Sequence, residues 1–213
     1  MNDVTIGSYS MQTDFGLYLP EYTIPAPAPQ TKFITIFGRN GAVDLSNALG
    51  VMHYDSRKWT LDFKSFNPTV NWHTLSSNVM NALHGKRLTF SFADDNTFQW
   101  EGRFSVSSFQ SKKGEGTIRV EITSDPYKLK KTATTVTSGA GTATLSNLSM
   151  PVVPTITATA TMGLAWTSDG VSYTASVDSG TSTLPQLVLY AGNTSVTVTG
   201  TGSVTFTYTE GSL

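Results

Sequence analysis

Hydrophobic and polar residues alternate along several short segments of the first 131 residues, which is typical of half-buried β-strands. In KWTLDFKSF (58–66), Trp59, Leu61 and Phe63 fall on one face and Thr60, Asp62 and Lys64 on the other. Similar segments that predict strands are KFITIF (32–37), KRLTFSF (86–92), TFQWEGRFSV (97–106) and GTIRVEIT (116–123), with ADDN (93–96) as a hairpin turn. We therefore predict antiparallel pairing in this half.

One segment, HTLSSNVMNALHG (73–85), has a helical period instead. Its apolar residues at helical spacing are Leu75, Val79 and Leu83, with Met80 and Ala82 beside them. Thr74 is the predicted N-cap and Gly85 the predicted residue just past the helix C-terminus. The first half is thus predicted to be a β-sandwich-like domain with one α-helix.

The second half alternates with threonine on the polar face. Of residues 132–213, 32 are Ser or Thr, and in SVTFTYT (203–209) Val204, Phe206 and Tyr208 share a face. This pattern favours a small β-sandwich whose solvent side is covered by threonine. The overall prediction is a mainly β protein with domains at 1–131 and 132–213.

Charge supports that division. All 14 Lys and Arg residues lie at or before Lys131, and the rest of the chain carries only Asp169, Asp178 and Glu210. A proline-rich segment, PEYTIPAPAPQ (20–30), is predicted to run extended over a surface as an arm or linker, or to dock on another domain.

Bulk composition excludes several functions. The net charge of -1 argues against a protein that grips phosphates, and no stretch approaches the ~20 apolar residues of a membrane span. The first 16 residues lack the basic and apolar regions of a secretory signal, so none is expected. The absence of cysteine rules out disulfides and thiolate metal sites without fixing the compartment.

No catalytic constellation is evident. His53, His73 and His84 lack metal-site spacing, and His84 is expected to cap the helix as a cation facing the helix dipole. Asp94 and Asp95 are adjacent in the predicted turn, where two side chains cannot flank one glycosidic bond. We expect no enzyme activity, no metal and no cofactor.

Two binding hypotheses stay open on the residues alone. The basic pairs Lys86-Arg87, Lys112-Lys113 and Lys130-Lys131 are scattered among acids, which favours solvated faces or subunit contacts over nucleic-acid binding. A carbohydrate-binding module would use exposed aromatic rings in the second half, for which Trp166, Tyr173 and Tyr190 are the candidates, although single aromatics in strands more often belong to a core.

The order of five motifs resembles the distal tail protein family of long-tailed siphophages over roughly residues 30–131. In chain order they are FGRNGAVDLSNALG (37–50), YDSRKWTLDF (54–63), LHGKR (83–87), FADDNTFQWEGRFSV (92–106) and ITSDPYK (122–128). The positions that match the family's motifs are Gly38, Arg39, Gly41, Gly85, Lys86, Gly102, Arg103, Asp125, Pro126, Tyr127 and Lys128.

The resemblance implies a structural virion protein. In that family the first domain builds a ring, so the expected partners are other copies of the chain in a hexamer, a tail-tube protein on one face and the tail-tip hub on the other. It further implies a galectin-like second domain, with host receptors or glycans as possible ligands. The ring would leave a passage that lets DNA through without tight binding, and no membrane insertion is expected. The expected location is the distal end of the tail, after assembly in the host cytoplasm. The alternatives are a carbohydrate-binding module and a tail-tube subunit.

Overall fold

The computed structural model describes residues 3–48, 50–67, 69–112, 115–168 and 170–213. Strands dominate and pair antiparallel throughout the pairings described, which confirms the mainly β prediction. The chain divides into two compact units, Met1–Pro126 and Tyr127–Leu213. The boundary predicted from charge lies five residues later, at Lys131, and independent folding of the two units stays a prediction.

The first unit contains two helices, α1 (Met11–Phe15) and α2 (Trp72–Leu83). Its strands are β1 (Val4–Ile6), β2 (Tyr9–Ser10), β3 (Phe33–Thr35), β4 (Ala42–Asp44), β5 (Arg57–Ser65), β6 (Arg87–Phe92), β7 (Phe98–Lys112) and β8 (Glu115–Ser124). Six of them form one sheet in the order β5-β8-β7-β6-β1-β2, while β3 and β4 form a separate two-stranded hairpin.

One face of the six-stranded sheet carries the apolar residues of the core. The register aligns Trp59 with Ile122 and Ile122 with Phe104, so the predicted apolar face of β5 continues across its neighbours. The sheet curls: the ring centroid of Trp59, on the outer strand β5, lies 5.1 Å from that of Trp100, two strands away, and 5.3 Å from that of Phe90, three strands away. This curling encloses a core from a single sheet.

Helix α2 covers that core with the residues predicted to do so, since Leu75, Val79 and Leu83 are buried. The predicted N-cap is wrong: Asn71, not Thr74, accepts hydrogen bonds from the backbone N–H groups of the first turn. Met80, predicted to lie beside the apolar stripe, is exposed.

The end of α2 matches the sequence in part. Gly85 has a positive φ of 75° just after the helix, as predicted. His84 is the C-cap, as predicted, and its Nδ1 accepts a hydrogen bond from Val106 N–H at 3.0 Å. The positive charge expected on its ring stays a prediction.

A short helix, α1, was not predicted. Ser10 is its N-cap, and the side-chain hydroxyl accepts from Thr13 N–H at 3.0 Å. Only Met11 of its five residues is buried, which is too little to create a periodic pattern. Neither helix in the described part of the chain is long and apolar enough to cross a membrane.

The second unit is a sandwich of two four-stranded sheets, β10-β17-β12-β15 and β11-β16-β13-β14, as predicted. Its strands are β9 (Lys128–Lys130), β10 (Thr134–Ser138), β11 (Gly141–Asn147), β12 (Thr155–Ala158), β13 (Met162–Ser168), β14 (Val171–Val177), β15 (Gly180–Thr183), β16 (Gly192–Thr199), β17 (Val204–Tyr208) and β18 (Gly211–Ser212).

The two sheets of the second unit share one apolar core, to which Val204, Phe206 and Tyr208 belong as predicted. Threonine covers the outer face of the first sheet in regular rows. One row across the four strands consists of Thr135, Thr207, Thr155 and Thr183, and the next of Thr137, Thr205, Thr157 and Thr181.

Candidate assembly surface

The most exposed part of the first unit is a long hairpin, here called the hairpin arm (29–54). Its base is closed by the bridge between Pro29 and Tyr54 and by a hydrogen bond from Gln30 N–H to His53 O at 2.8 Å. Farther out, β3 pairs with β4 so that Phe33 lies opposite Asp44 and Thr35 lies opposite Ala42. The proline-rich segment (20–30), described in full, leads into this hairpin without helix or strand, as predicted.

Apolar side chains of the hairpin arm lie uncovered on both of its faces. Ile34 and Ile36 are 41% and 48% exposed, while Phe33 and Phe37 are 58% and 105% exposed. The strand predicted at 32–37 is present only at Phe33–Thr35, since no third strand pairs with the hairpin among the described residues. This is the largest concentration of exposed large apolar residues in the described chain.

Three of the predicted site residues, Gly38, Arg39 and Gly41, form the tip of the arm. Gly38 and Gly41 have φ values of 82° and 79°, where residues with a Cβ are strained. Arg39 N–H closes the turn on Ile36 O at 3.1 Å. The glycine-arginine motif is therefore a turn that presents Phe37 and Arg39 to solvent.

Arg57 anchors the proline-rich segment that leads into the hairpin arm, a role that the sequence analysis did not predict. It is only 4% exposed; its Nη1 donates to Pro25 O and its Nε to Pro126 O, both at 2.7 Å. Burial lowers the pKa of the guanidinium. The sequence does contain a sign of this burial: Arg57 lies two residues before Trp59 and four before Leu61, so the alternation of β5 places it on their buried face.

Tyr22 holds the middle of the proline-rich segment. Its ring stacks on Phe92 with centroids 4.0 Å apart, and its hydroxyl donates to Asp94 Oδ2 at 2.6 Å. Burial, together with the bond to Asp94 and the charge of that carboxylate, raises the pKa of Tyr22 to about 12. Asp94 thus fastens the proline-rich segment to the hairpin turn.

A second group of predicted site residues gathers at the end of α2. Arg103 Nη1 donates to Gly85 O at 2.6 Å, Gly85 N–H donates to Phe104 O at 2.8 Å, and Phe104 N–H donates to Lys86 O at 2.9 Å. These bonds fasten the post-helix motif to β7. An open cleft of about 610 Å³ beside them is also lined by Asp125.

Gly102 explains why this corner is so close-packed. A Cβ at Gly102 would lie 2.8 Å from Thr123 O and 2.9 Å from Ser124 Cα, so β7 and β8 approach too closely for any side chain there. Pro126 contributes the carbonyl that Arg57 binds. The motifs at Gly85-Lys86, Gly102-Arg103 and Asp125-Pro126 therefore meet in the fold, whereas Gly38, Arg39 and Gly41 lie out on the arm.

Arg87 crosses the same corner. Its Nε lies 2.7 Å from Glu101 Oε1 and its Nη2 pairs with Asp125, and these bonds raise the pKa of the guanidinium. The partners are 38–47% exposed, so the network contributes little stability and mainly fixes side-chain positions.

The last two matched residues, Tyr127 and Lys128, begin the second unit, and Lys128 pairs with Ser212 in the short ladder of β9 and β18. The neighbouring Lys130 contacts the buried Glu210 at 2.5 Å, and Thr134 donates to the same carboxylate at 2.6 Å. Burial by itself raises the pKa of Glu210, but these bonds outweigh it and the pKa is lowered.

The basic pairs are largely engaged within the protein. Lys86 Nζ donates to Asn81 O at 2.7 Å, and Arg87 and Lys130 are ion-paired. Lys112 is exposed, and Lys113 lies outside the described residues.

The remaining candidates are structural. No group of three potential metal ligands occurs among the described residues. Trp166 is 5% exposed and stacks on Tyr173 with centroids 5.5 Å apart, so it belongs to the second core rather than to an exposed sugar platform. Tyr190 is half-buried.

Comparison with known proteins identifies the fold. No protein-family model matches the sequence, and no curated protein matches it. Among solved structures, the chain is similar to the SPP1 Dit (gp 19.1) protein, described as a paradigm of the hub adsorption apparatus in phages that infect Gram-positive bacteria. The TM-score is 0.72 at 15% identity, over 100% of both chains. The resemblance drawn from the five motifs is therefore confirmed at the level of the fold: over its whole length the chain folds like a phage hub protein.

Proposed function

We propose that this chain is a structural protein of a phage tail tip. It assembles with copies of itself into a ring, a hexamer as the family resemblance implies, which connects the tail tube to the tail-tip hub and leaves a passage for DNA. It is put together in the host cytoplasm and ends at the distal end of the virion tail. The observation that carries this proposal is the hairpin arm with apolar side chains uncovered on both faces.

The arm supports assembly for two physical reasons. An isolated two-stranded hairpin is marginally stable in water, so β3 and β4 need a surface to pack on. Clustered exposed apolar residues such as Phe33, Ile36 and Phe37 mark interaction sites in folded proteins. A contact from the arm of one copy to a different surface of the next is head-to-tail, and repeated head-to-tail contacts close into rings when the rotation allows.

The polar groups of the first unit support scaffolding rather than catalysis. Asp94 is bonded to Tyr22, His84 Nδ1 is used by Val106, and Asp125 is paired with Arg87. Each of these bonds joins two segments of the first unit, which is the part that a scaffold gives to its polar groups.

The carbohydrate-binding alternative is weaker than the scaffold proposal. Burial of Trp166 removes the best stacking ring, and the outer face of the sheet β10-β17-β12-β15 presents threonine hydroxyls and methyls instead of aromatic rings. Direct binding of host glycans by the full chain on a glycan array, abolished by Tyr190→Ala, would favour it. A tail-tube subunit is distinguished by stacking into long tubes.

Mass measurement and electron microscopy test the ring directly. Light scattering and negative-stain class averages of the full chain, alone and with the tail-tube and hub proteins of its own phage, are expected to show a closed ring with a central hole. A monomer in isolation is compatible with closure on a template. A monomer at tens of micromolar with both partners present would contradict the proposal.

A pair of variants tests the role of the arm. Ile34→Ser with Ile36→Ser removes apolar surface from one face of the arm and is expected to reduce ring formation severely. The matched control is Val171→Ser, which removes an apolar residue of similar exposure, 52%, from the second unit. Equal loss in both variants would show that the arm has no special part in assembly.

A further inference from the structure

A groove between α1 and α2 has the composition to receive the tip of the hairpin arm. Its volume is about 320 Å³. The rings of Tyr9 and Phe15 form its apolar side, with centroids 5.5 Å apart at 46°, and Tyr9 is 37% exposed. The residues that line it are Tyr9, Asp14, Phe15, Asn78, Asn81 and Ala82.

The groove is held in shape by bonds at the start of α1. Asp14 Oδ2 accepts from Ser10 N–H at 2.8 Å, and Ser10 Oγ donates to Asp3 Oδ2 at 2.8 Å. Asp3 Oδ1 also accepts from Gln12 N–H at 3.1 Å. Within the part of the chain that the structure describes, Asp14 Oδ1 accepts no hydrogen bond, so one carboxylate oxygen remains available at the rim.

The arm tip carries the complementary groups. Phe37 touches nothing in its own copy, since it is fully exposed. Arg39 follows two residues later and makes no ion pair among the described residues. An aromatic ring and a cation thus stand side by side on the tip, and an aromatic pair and an anion stand side by side in the groove.

We infer that the tip of the hairpin arm of one copy seats in the α1/α2 groove of a second copy, with Phe37 packed against the outer side of the Tyr9 and Phe15 rings and Arg39 paired with Asp14. This inference rests on the proposed ring and names its contact. Phe37 gains aromatic packing at centroid distances of about 4.5–7 Å. Asn78 and Asn81 provide amide groups at the rim for the backbone of the turn.

A second groove shows why the first is preferred. It has about 390 Å³ and is lined by Trp72, His73, Ser76, Phe109 and Ser111. Its aromatic rings would also accept Phe37, but no carboxylate lines it. Of these two grooves, charge complementarity to Arg39 therefore favours the α1/α2 groove, because matched charges fix the partner surface and mismatched ones penalise it.

Disulfide trapping tests the contact in the full chain, which contains no natural cysteine to interfere. Asn40→Cys at the tip and Asn81→Cys at the groove are made in separate chains, one carrying a size tag. The two are mixed under the conditions in which the unmodified chain forms rings, and then mildly oxidised. The control pair is Asn40→Cys with Ser111→Cys at the second groove. A disulfide requires Cα atoms within about 7 Å, so it reports seating and not mere proximity.

The expected result is a mixed covalent dimer for Asn40→Cys with Asn81→Cys at least about tenfold more abundant than for the control pair. Trapping at Ser111, or equal trapping at both positions, overturns the inference. Rings that form normally without trapping at Asn81 also overturn it while the proposed function stands. If the unmodified chain forms no ring with its tail partners, the proposed function and this inference fall together.

Charge reversal gives a second, independent readout. Arg39→Asp and Asp14→Arg are each expected to weaken ring formation about tenfold, because each places like charges together. The two variants combined are expected to recover most of the loss. Circular dichroism of Asp14→Arg controls for the lost bond to Ser10. A well-folded double variant with no recovery contradicts the pairing of Arg39 and Asp14.

Discussion

Arg57 Nη1 donates to the carbonyl oxygen of Pro25 at 2.7 Å across 32 residues of sequence, and this bond sets the point at which the proline-rich segment leaves the sheet. The same guanidinium binds Pro126 O, the last residue of the first unit. One buried side chain thus satisfies two backbone acceptors in segments that have no regular structure of their own.

Arg57→Ala is expected to lower the free energy of unfolding by about 2–4 kcal/mol, because it removes two charge-assisted hydrogen bonds and leaves two carbonyls unsatisfied. Urea unfolding followed by tryptophan fluorescence measures the change. Lys58→Ala is the control: Lys58 is exposed on the opposite face of β5, and its loss should cost no more than about 0.5 kcal/mol. Similar losses for both variants would show that Arg57 has no anchoring role.

Gly102→Ala is expected to destabilise the first unit by about 1–3 kcal/mol, since the new methyl group overlaps the backbone of β8. Gly41→Ala is the matched comparison: the backbone φ of 79° there is unsuited to alanine, but the space around it is open. The strain there falls on the arm tip alone, so the global unfolding midpoint should hardly move. A larger shift for Gly41→Ala than for Gly102→Ala would contradict the close approach of β7 and β8.

Tyr22 is expected to make stability depend on pH in the alkaline range. Its pKa rises from 10.0 to about 12 in the folded protein, so the unfolded chain loses this proton first as the pH increases. The contribution of Tyr22 is therefore complete below pH 10 and is lost as the pH rises through 12.

Urea unfolding at pH 8.5, 10 and 11.5 (roughly spanning this window) would measure the effect as the difference between the natural chain and Tyr22→Phe. That difference should shrink as the pH increases, which removes the effect of other tyrosines and lysines common to both proteins. A difference that is constant over this range would mean that folding does not raise the pKa of Tyr22 through its burial and its bond to Asp94.

Limited proteolysis tests whether the two units are separate folding domains. Proteinase K or elastase is expected to cut between Lys128 and Gly141 and to release a folded N-terminal fragment, whereas trypsin is blind beyond Lys131. Cleavage sites spread evenly over both units, or one indivisible core, would contradict independent domains.

The assembled ring is expected to bind duplex DNA no more tightly than the weak non-specific range of ~10⁻⁴ M at physiological salt. A passage lined with free cations would hold the genome, and Lys86, Arg87 and Lys130 are engaged within the protein. We accordingly expect the basic pairs to face neighbouring subunits, tail partners or outer solvent. A gel shift at micromolar ring that survives ~150 mM salt would contradict both the passage without tight DNA binding and the scaffold proposal.

Local patterns predicted most of the regular structure correctly. Alternation in β5 placed Trp59, Leu61 and Phe63 in the core, and the helical spacing of Leu75, Val79 and Leu83 placed α2 over it. Both patterns predict the structure correctly because a strand or helix that buries one face must place apolar residues at the spacing of that element, and this spacing is visible within a single segment. The N-cap was misplaced because Asn71 and Thr74 are both competent caps, and the choice depends on where the chain enters the helix.

The sequence by itself therefore determined the mainly β class, the threonine-covered second sandwich and the end of α2 at Gly85, all of which depend on neighbours in the chain. Only the tertiary structure decided that Arg57 binds Pro25 and Pro126, that the motifs at Gly85, Arg103 and Asp125 meet at one corner, and that Phe37 stays uncovered. The physical reason is that contacts between residues far apart in the chain depend on how the sheet curls and on where the hairpin arm leaves the sheet. Neither of these two features produces a periodic pattern in the sequence.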